Sequence, residues 1–304
     1  MQKPKILAIV GPTASGKTAL AIELAKRFNG EVISADSRQV YRKLDLGSGK
    51  VTPEEMQGIK HHLIDIADLS RAYTGADFVH DANLAISDIV GRGKLPIIAG
   101  GTFFYIELLK GTSRSAPVPP NPALRLELEK LTTEDLWQKL FILDPKRAEV
   151  IDPHNRHRLI RSLEIIDALG LVPKFEKVES NFDWLTIGIQ IEKSLLRERI
   201  SLRLTERLDK GMVEEVDNLL KAGVSSERLI GLGLEYRYIT EYLQGKITSE
   251  EMKKLLITKI GQFAKRQYTW LKRDLDITWF DFPITLNKVE TTVKNFLGST
   301  QKSD

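Results

Sequence analysis

The chain has 304 residues, enough for one large domain or for a core domain with a smaller companion. Hydrophobic content of 42% and charged content of 28% are those of an ordinary globular protein; no apolar run approaches the ~18 residues of a membrane helix, and Ile6 to Val10 is too short for a signal-peptide core. Cysteine is absent, which excludes disulfides and cysteine-based zinc sites and favours a cytoplasmic location, while a net charge of +4 is by itself a weak pointer to nucleic acid.

In chain order, Lys5–Val10 reads as a short buried strand, Lys17–Phe28 as a helix, and Glu31–Ala35 as a second strand. Thr74–Gly91 reads as a helix, Leu95–Ala99 as a buried strand, and Phe103–Lys110 as a helix. Strands alternating with helices predict a parallel sheet covered on both faces, with ligands at the carboxyl ends of its strands. The pattern changes at the proline-rich stretch Ser115–Pro122, beyond which Ala123–Leu131, Thr133–Leu140, Pro145–Ile151 and His157–Leu169 read as helices. Trp184–Ile191 returns to the sheet. Two long helices, Ser194–Ala222 and Thr248–Arg273, and a last strand, Ile277–Phe282, complete the expected core. The second long helix is expected to group Met252, Leu256, Ile260, Phe263, Gln267 and Trp270 on one face, with Phe263 and Trp270 in the core. The predicted fold is α/β: a P-loop-type parallel sheet flanked by helices (residues 1–114 and 181–297), with a smaller all-helical insertion (115–180) and a disordered tail (298–304).

Gly11-Pro12-Thr13-Ala14-Ser15-Gly16-Lys17-Thr18 matches G-x-x-x-x-G-K-[ST] between a strand and a helix, the context that this phosphate loop requires. Its backbone N–H groups and the helix N-terminus hold phosphate oxygens, Lys17 adds a point charge, and the Thr18 hydroxyl can ligate Mg²⁺. The motif does not distinguish a nucleoside triphosphate from another diphosphate. Gly47-Ser48-Gly49-Lys50 lacks the preceding strand and reads as a loop. Asp36, after the second strand, is either a base or metal partner facing the same crevice or the cap of a short helix. Gly100-Gly101-Thr102 either puts the Thr102 hydroxyl over the crevice or is a plain glycine turn. His61-His62-Leu63-Ile64-Asp65 reads as a hydrogen-bonded pair or a substrate-side contact rather than a zinc site. His154–Arg161 contains no acid, and residues 197–273 carry 16 Lys/Arg against 11 Asp/Glu, so basic stripes on helices are expected. Those stripes are either solvated faces or phosphate-backbone contacts.

Taken together, residues 11–18, 34–41, 61–65, 100–102, 158–164 and 262–270 resemble, in order and spacing, the bacterial tRNA dimethylallyltransferases, also called tRNA isopentenyltransferases. The resemblance spans nearly the whole chain. It implies transfer of a dimethylallyl group from dimethylallyl diphosphate to N6 of the adenosine just 3′ of the anticodon (tRNA position 37), with Mg²⁺ as cofactor. It implies a helical insertion gripping the anticodon stem-loop and a base flipped into the site. By motif, Gly11 to Thr18 (Gly11, Pro12, Thr13, Ala14, Ser15, Gly16, Lys17, Thr18) would hold the diphosphate, with Thr18 on Mg²⁺ and Arg203 on the leaving group. Asp36 would be the general base and Thr102 its partner. Asp36, Ser37, Arg38, Gln39, Thr102, Arg125, His157, Arg158, Leu159, Ile160 and Arg161 would contact tRNA, and Lys265, Arg266 and Gln267 lie in a further motif near the site. Departures occur at His154-Asn155, at Ile230–Tyr236 and at Gly261. A cytoplasmic monomer is expected. A P-loop kinase acting on a nucleoside or small molecule explains the loop but not the basic insertion. A prenyltransferase of free adenine nucleotides needs no such insertion, and a non-catalytic RNA-binding module leaves the loop idle.

Overall fold

The computed structural model describes residues 3–114, 116–173 and 178–299. The elements in chain order are β1 (Lys5–Val10), α1 (Lys17–Arg27), β2 (Gly30–Ser34), α2 (Pro53–Met56), β3 (His61–His62), α3 (Gly75–Gly91), β4 (Leu95–Ala99) and α4 (Phe103–Lys110). Four helices follow: α5 (Pro122–Leu128), α6 (Thr133–Leu143), α7 (Pro145–Val150) and α8 (Arg156–Leu169). Then come β5 (Asp183–Gln190), α9 (Lys193–Asp209), α10 (Met212–Lys221), α11 (Ser226–Leu232), α12 (Leu234–Leu243), α13 (Ser249–Leu271), β6 (Ile277–Asp281) and α14 (Leu286–Gly298).

The described strands form one six-stranded sheet in the order β3-β2-β4-β1-β5-β6, every pairing parallel. Its side chains alternate between two cores, as the period of two along a strand requires. Ile6, Ala8, Val10, Ile33 and Ile98 enter one core with α3, α9, α10, α12 and α13. Leu7, Ile9, Val32, Ile97, Ile187 and Ile189 enter the other, against α1 and α14. The register aligns Ile9 with Ala99 and Ala99 with Ser34, so β1, β4 and β2 end at one level. The three segments that carry the motifs therefore leave the sheet side by side.

Two long-range expectations need correction. Ser194–Ala222 is not one helix: Gly211 takes φ of 96°, a left-handed conformation that glycine adopts without steric cost, and α9 ends before it. The apolar stripe of α13 runs through Met252, Leu256, Ile260, Ala264, Gln267 and Leu271. Phe263 is thereby turned to the edge of that stripe and lines a cavity instead of lying in the core, whereas Trp270, partly buried, packs against the core and also lines the cavity. The edge strand β3 and helices α2, α11, α12 and α14 carry no sequence signal strong enough for the reading above. Of the expected tail, Gly298 is the last residue of α14 and Ser299 its cap, and residues 300–304 lie outside the described ones.

The chain divides into two compact units, residues 1–110 with 179–304, and residues 111–178. The second unit has its own apolar core, built on Leu128, Leu136, Leu140, Leu159, Leu163 and Ile166 from α5, α6 and α8. Ser115, where the sequence reading begins the insertion, lies outside the described residues.

Candidate active site

The carboxyl ends of β1, β2 and β4 open into a cavity of about 1100 Å³ within the larger unit. Thr13, Ala14, Gly16, Lys17 and Thr18 of the phosphate loop line it, while Gly11, Pro12 and Ser15 lie buried beneath. A β-carbon on Gly11 would fall 2.8 Å from Ser15 Oγ, which is why the first glycine cannot carry a side chain. The Lys17 ammonium donates to the Pro12 carbonyl at 2.8 Å. Removal from bulk water pushes its pKa down to about 8, an effect the Asp36 charge opposes and the Arg203 charge reinforces. Thr18 stands exposed on the first turn of α1, and its hydroxyl makes no hydrogen bond among the described residues.

Asp36 caps a turn rather than a short helix, and it also lines the cavity. Its Oδ1 accepts from the backbone N–H of Arg38 at 2.8 Å and of Gln39 at 3.3 Å, closing the turn after β2. Its Oδ2 faces Gly101: a β-carbon there would lie 3.7 Å from it. Gly100 is required because a β-carbon at that position would sit 2.2 Å from the Ala35 carbonyl oxygen. The Thr102 hydroxyl accepts from the Ser37 N–H at 3.0 Å, and the Thr102 N–H donates to Ala35 O at 3.0 Å. Ser37, Arg38 and Gln39 also line the cavity. The Arg38 side chain is anchored on Leu232 O at 2.8 Å, and the Gln39 amide donates to Gly49 O at 3.2 Å.

Helix α9 adds Arg199, Arg203 and Arg207 at successive turns of one face. Arg199 donates to Ala14 O at 2.8 Å and stacks on Phe282, with 4.7 Å from its guanidinium carbon to the ring centre. Arg207 is fully engaged, donating to Leu46 O and Gly47 O and pairing with Glu235 at 2.8 Å. The Arg203 side chain makes no hydrogen bond or ion pair among the described residues, though its carbonyl accepts from Arg207 Nε at 3.3 Å, and desolvation and the neighbouring Arg207 charge lower its pKa. Gly47, Ser48 and Gly49 form the facing wall; they are a turn, as the sequence reading has it, and Glu215 clamps that turn by accepting from the Asp45, Leu46 and Gly47 N–H groups. Eight cationic side chains line the cavity against four carboxylates, the balance of a site for a polyanion. The Arg199–Arg203–Arg207 spacing of four was a readable signal for the two outer arginines. The wall residues Leu232–Tyr238 carried no such signal.

The other sequence candidates fall elsewhere. His62 Nε2 bonds to Glu31 at 2.7 Å, and His61 Nδ1 to Ile59 O at 2.9 Å, so the pair is a structural one on the sheet edge. Glu31 is itself held by Arg92 and Lys94. In the helical unit, Arg125 forks onto the buried Glu164 at 2.7 and 2.9 Å, and Arg161 reaches the same carboxylate at 3.3 Å. Leu159 and Ile160, 0% and 6% exposed, are core residues, so their side chains cannot serve as surface contacts. His157 and Arg158 are exposed on α8. Lys265 and Arg266 are exposed on α13, with Arg266 over the Phe263 ring at 5.9 Å.

A parallel sheet whose central strand runs into a phosphate loop, with an arginine-lined cavity above it, defines a P-loop-type α/β protein. A family model described as IPP transferase matches residues 39–274. The tRNA dimethylallyltransferase of an Exiguobacterium species is 41% identical over 97% of this chain and 98% of its own length. Among solved structures, the full-length tRNA isopentenylpyrophosphate transferase of Bacillus halodurans is 36% identical, with a TM-score of 0.74 over 97% of each chain. A eukaryotic dimethylallyltransferase acting on tRNA is 27% identical, with a TM-score of 0.77 over 96% of this chain and 77% of that one. The chain belongs to the IPP transferase family.

Proposed function

We propose that the protein is a tRNA dimethylallyltransferase that moves the dimethylallyl group of dimethylallyl diphosphate onto N6 of adenosine 37. The observation that carries this reading is Lys17 and Arg203 on one cavity: neither side chain makes an ion pair among the described residues, and the Asp36 carboxylate lines the same space. Unpaired cations in a cleft are costly unless an anion joins them, and a diphosphate leaving group is such an anion. In the proposed step the adenine amine attacks C1 of the allyl group. The C1–O bond breaks, its electron pair leaves with the diphosphate, and the amine proton passes to Asp36 Oδ2. Lys17 and Arg203 stabilise the developing negative charge, and Thr102 steadies the turn that carries Asp36. The Thr18 hydroxyl, a hard oxygen donor beside the cradle, suits Mg²⁺, which neutralises diphosphate charge when bound. The helical unit, with the exposed His157 and Arg158 on α8, is the proposed grip on the anticodon stem-loop.

Incubation with unmodified tRNA, Mg²⁺ and labelled dimethylallyl diphosphate tests the proposal, with AMP as alternative acceptor and ATP as alternative donor. Label in tRNA is expected. Label in AMP alone would assign the free-nucleotide reaction, and phosphoryl transfer from ATP without prenylation would assign the kinase.

A further inference from the structure

Gln267 lies on the core-facing stripe of α13, 5% exposed, where an apolar residue would be the default. Its amide is bonded at both ends. Oε1 accepts from the Thr13 N–H at 2.8 Å, and Nε2 donates to the Gly101 carbonyl at 2.9 Å. The orientation is unambiguous, since a backbone N–H only donates and a carbonyl only accepts. Thr13 belongs to the phosphate loop, and Gly101 to the turn against which Asp36 Oδ2 rests. One side chain thus spans the two halves of the cavity: the half that cradles phosphate and the half that presents the carboxylate. A β-carbon at Gly101 would fall 2.8 Å from Gln267 Nε2, so the glycine is what admits the amide. The bond to Gln267 also takes the Thr13 N–H away from the phosphate cradle.

We infer that Gln267 is a positioning residue for the transfer reaction, setting the separation between the donor loop and the Asp36 turn. The inference rests on the proposed function. Displacement of reacting groups by about 1 Å can cost about 10²-fold in rate without loss of binding. A brace of this kind therefore acts on kcat, with the KM values for tRNA and donor nearly unchanged.

Gln267→Glu gives a readout that mere packing would not move. A protonated carboxyl reproduces the amide, its C=O accepting from Thr13 and its O–H donating to Gly101. The ionised form has no proton for Gly101 O. The Gly101 carbonyl and Asp36, on the turn side, both disfavour that ionised form, while Lys17, on the loop side, favours it. Lys17 titrates in the parent protein as well, so the quantity to measure is the variant-to-parent ratio of kcat.

The test is single-turnover and steady-state prenylation of unmodified tRNA by the full chain between pH 5 and 9, for the parent, Gln267→Glu and Gln267→Met. The parent's activity stands as its own check on the function. The expected result is a 10- to 100-fold loss of kcat for Gln267→Met at every pH, with a melting temperature near the parent's. For Gln267→Glu the same loss is expected at high pH, and the ratio recovers as pH falls. A parent-like kcat for Gln267→Met, or a Gln267→Glu ratio flat with pH, would overturn the inference. An inactive parent would instead overturn the proposed function.

Discussion

Asp36 spends one carboxylate oxygen on the turn after β2, where Oδ1 accepts the Arg38 and Gln39 amides, and leaves Oδ2 toward the cavity. Asp36→Asn keeps an oxygen for the turn but cannot take a proton at neutral pH. The single-turnover rate should fall by about 10²–10⁴-fold with tRNA and donor affinities little changed. The melting temperature should hold, since the loss of a turn-capping oxygen, about 1 kcal/mol, is avoided. A fully active variant would reduce Asp36 to a cap. Lys17 makes a second prediction at this scale. Its pKa of about 8 in the free protein rises when an anion binds, so binding takes up a proton above that pH. Donor affinity should therefore weaken as pH rises through 8, and Lys17→Ala should lose both affinity and that pH dependence. Calorimetric titration in buffers of different ionisation enthalpy measures the proton uptake directly.

On α8 the basic residues divide into two kinds that the sequence could not separate. Arg161, with Arg125 from α5, is tied to the buried Glu164, whereas His157 and Arg158 are exposed. Removing one partner of a buried ionic cluster strands the others, so Glu164→Ala should destabilise the helical unit by about 3 kcal/mol. Arg158→Ala should lower the melting temperature far less than Glu164→Ala does and reduce the salt slope of tRNA binding by about 0.7–0.9. An unaltered slope would make Arg158 part of a solvated face. At the sheet edge, the Glu31 carboxylate on β2 accepts from Arg92, Lys94 and His62, and chiefly the Arg92 bond holds its pKa far below the usual range. A depressed carboxylate stabilises the fold above its unfolded pKa of about 4.3, and that contribution fades as pH falls below it. The melting-temperature gap between the parent and Glu31→Gln should be widest at neutral pH and shrink on acidification from about pH 4.

For the whole molecule, the two ligands should respond differently to salt. A nucleic acid held through several phosphates loses affinity steeply as salt rises, because released counterions must be recaptured. A diphosphate held inside a cleft by Lys17 and Arg203 is screened less. Raising salt from about 50 to 200 mM should increase the KM for tRNA by well over tenfold and that for the donor by less than tenfold. Equal sensitivity would place both ligands on open surface.

The alternation of strand and helix, the loop from Gly11 to Thr18, and the segments after β2 and β4 were legible because local physics dictates them. Period-two burial, glycine conformations and residues next in sequence need no distant partner to be recognised. The same holds for α3, β4 and α4, whose bounds lie within a residue of those read from sequence. What the tertiary structure alone decided depends on residues far apart in the chain. Gln267 meets Thr13 across 254 positions, and Glu215 reaches the turn at Asp45 across 170. Arg161 is drawn inward by a carboxylate one turn away on its own helix, and only packing reveals that this carboxylate is buried. Phe263 sits at the cavity rather than in the core, and Trp270 only at the core's margin, because the true stripe of α13 passes through Ala264 and Leu271, a rotation of one residue that an apolar pattern cannot resolve.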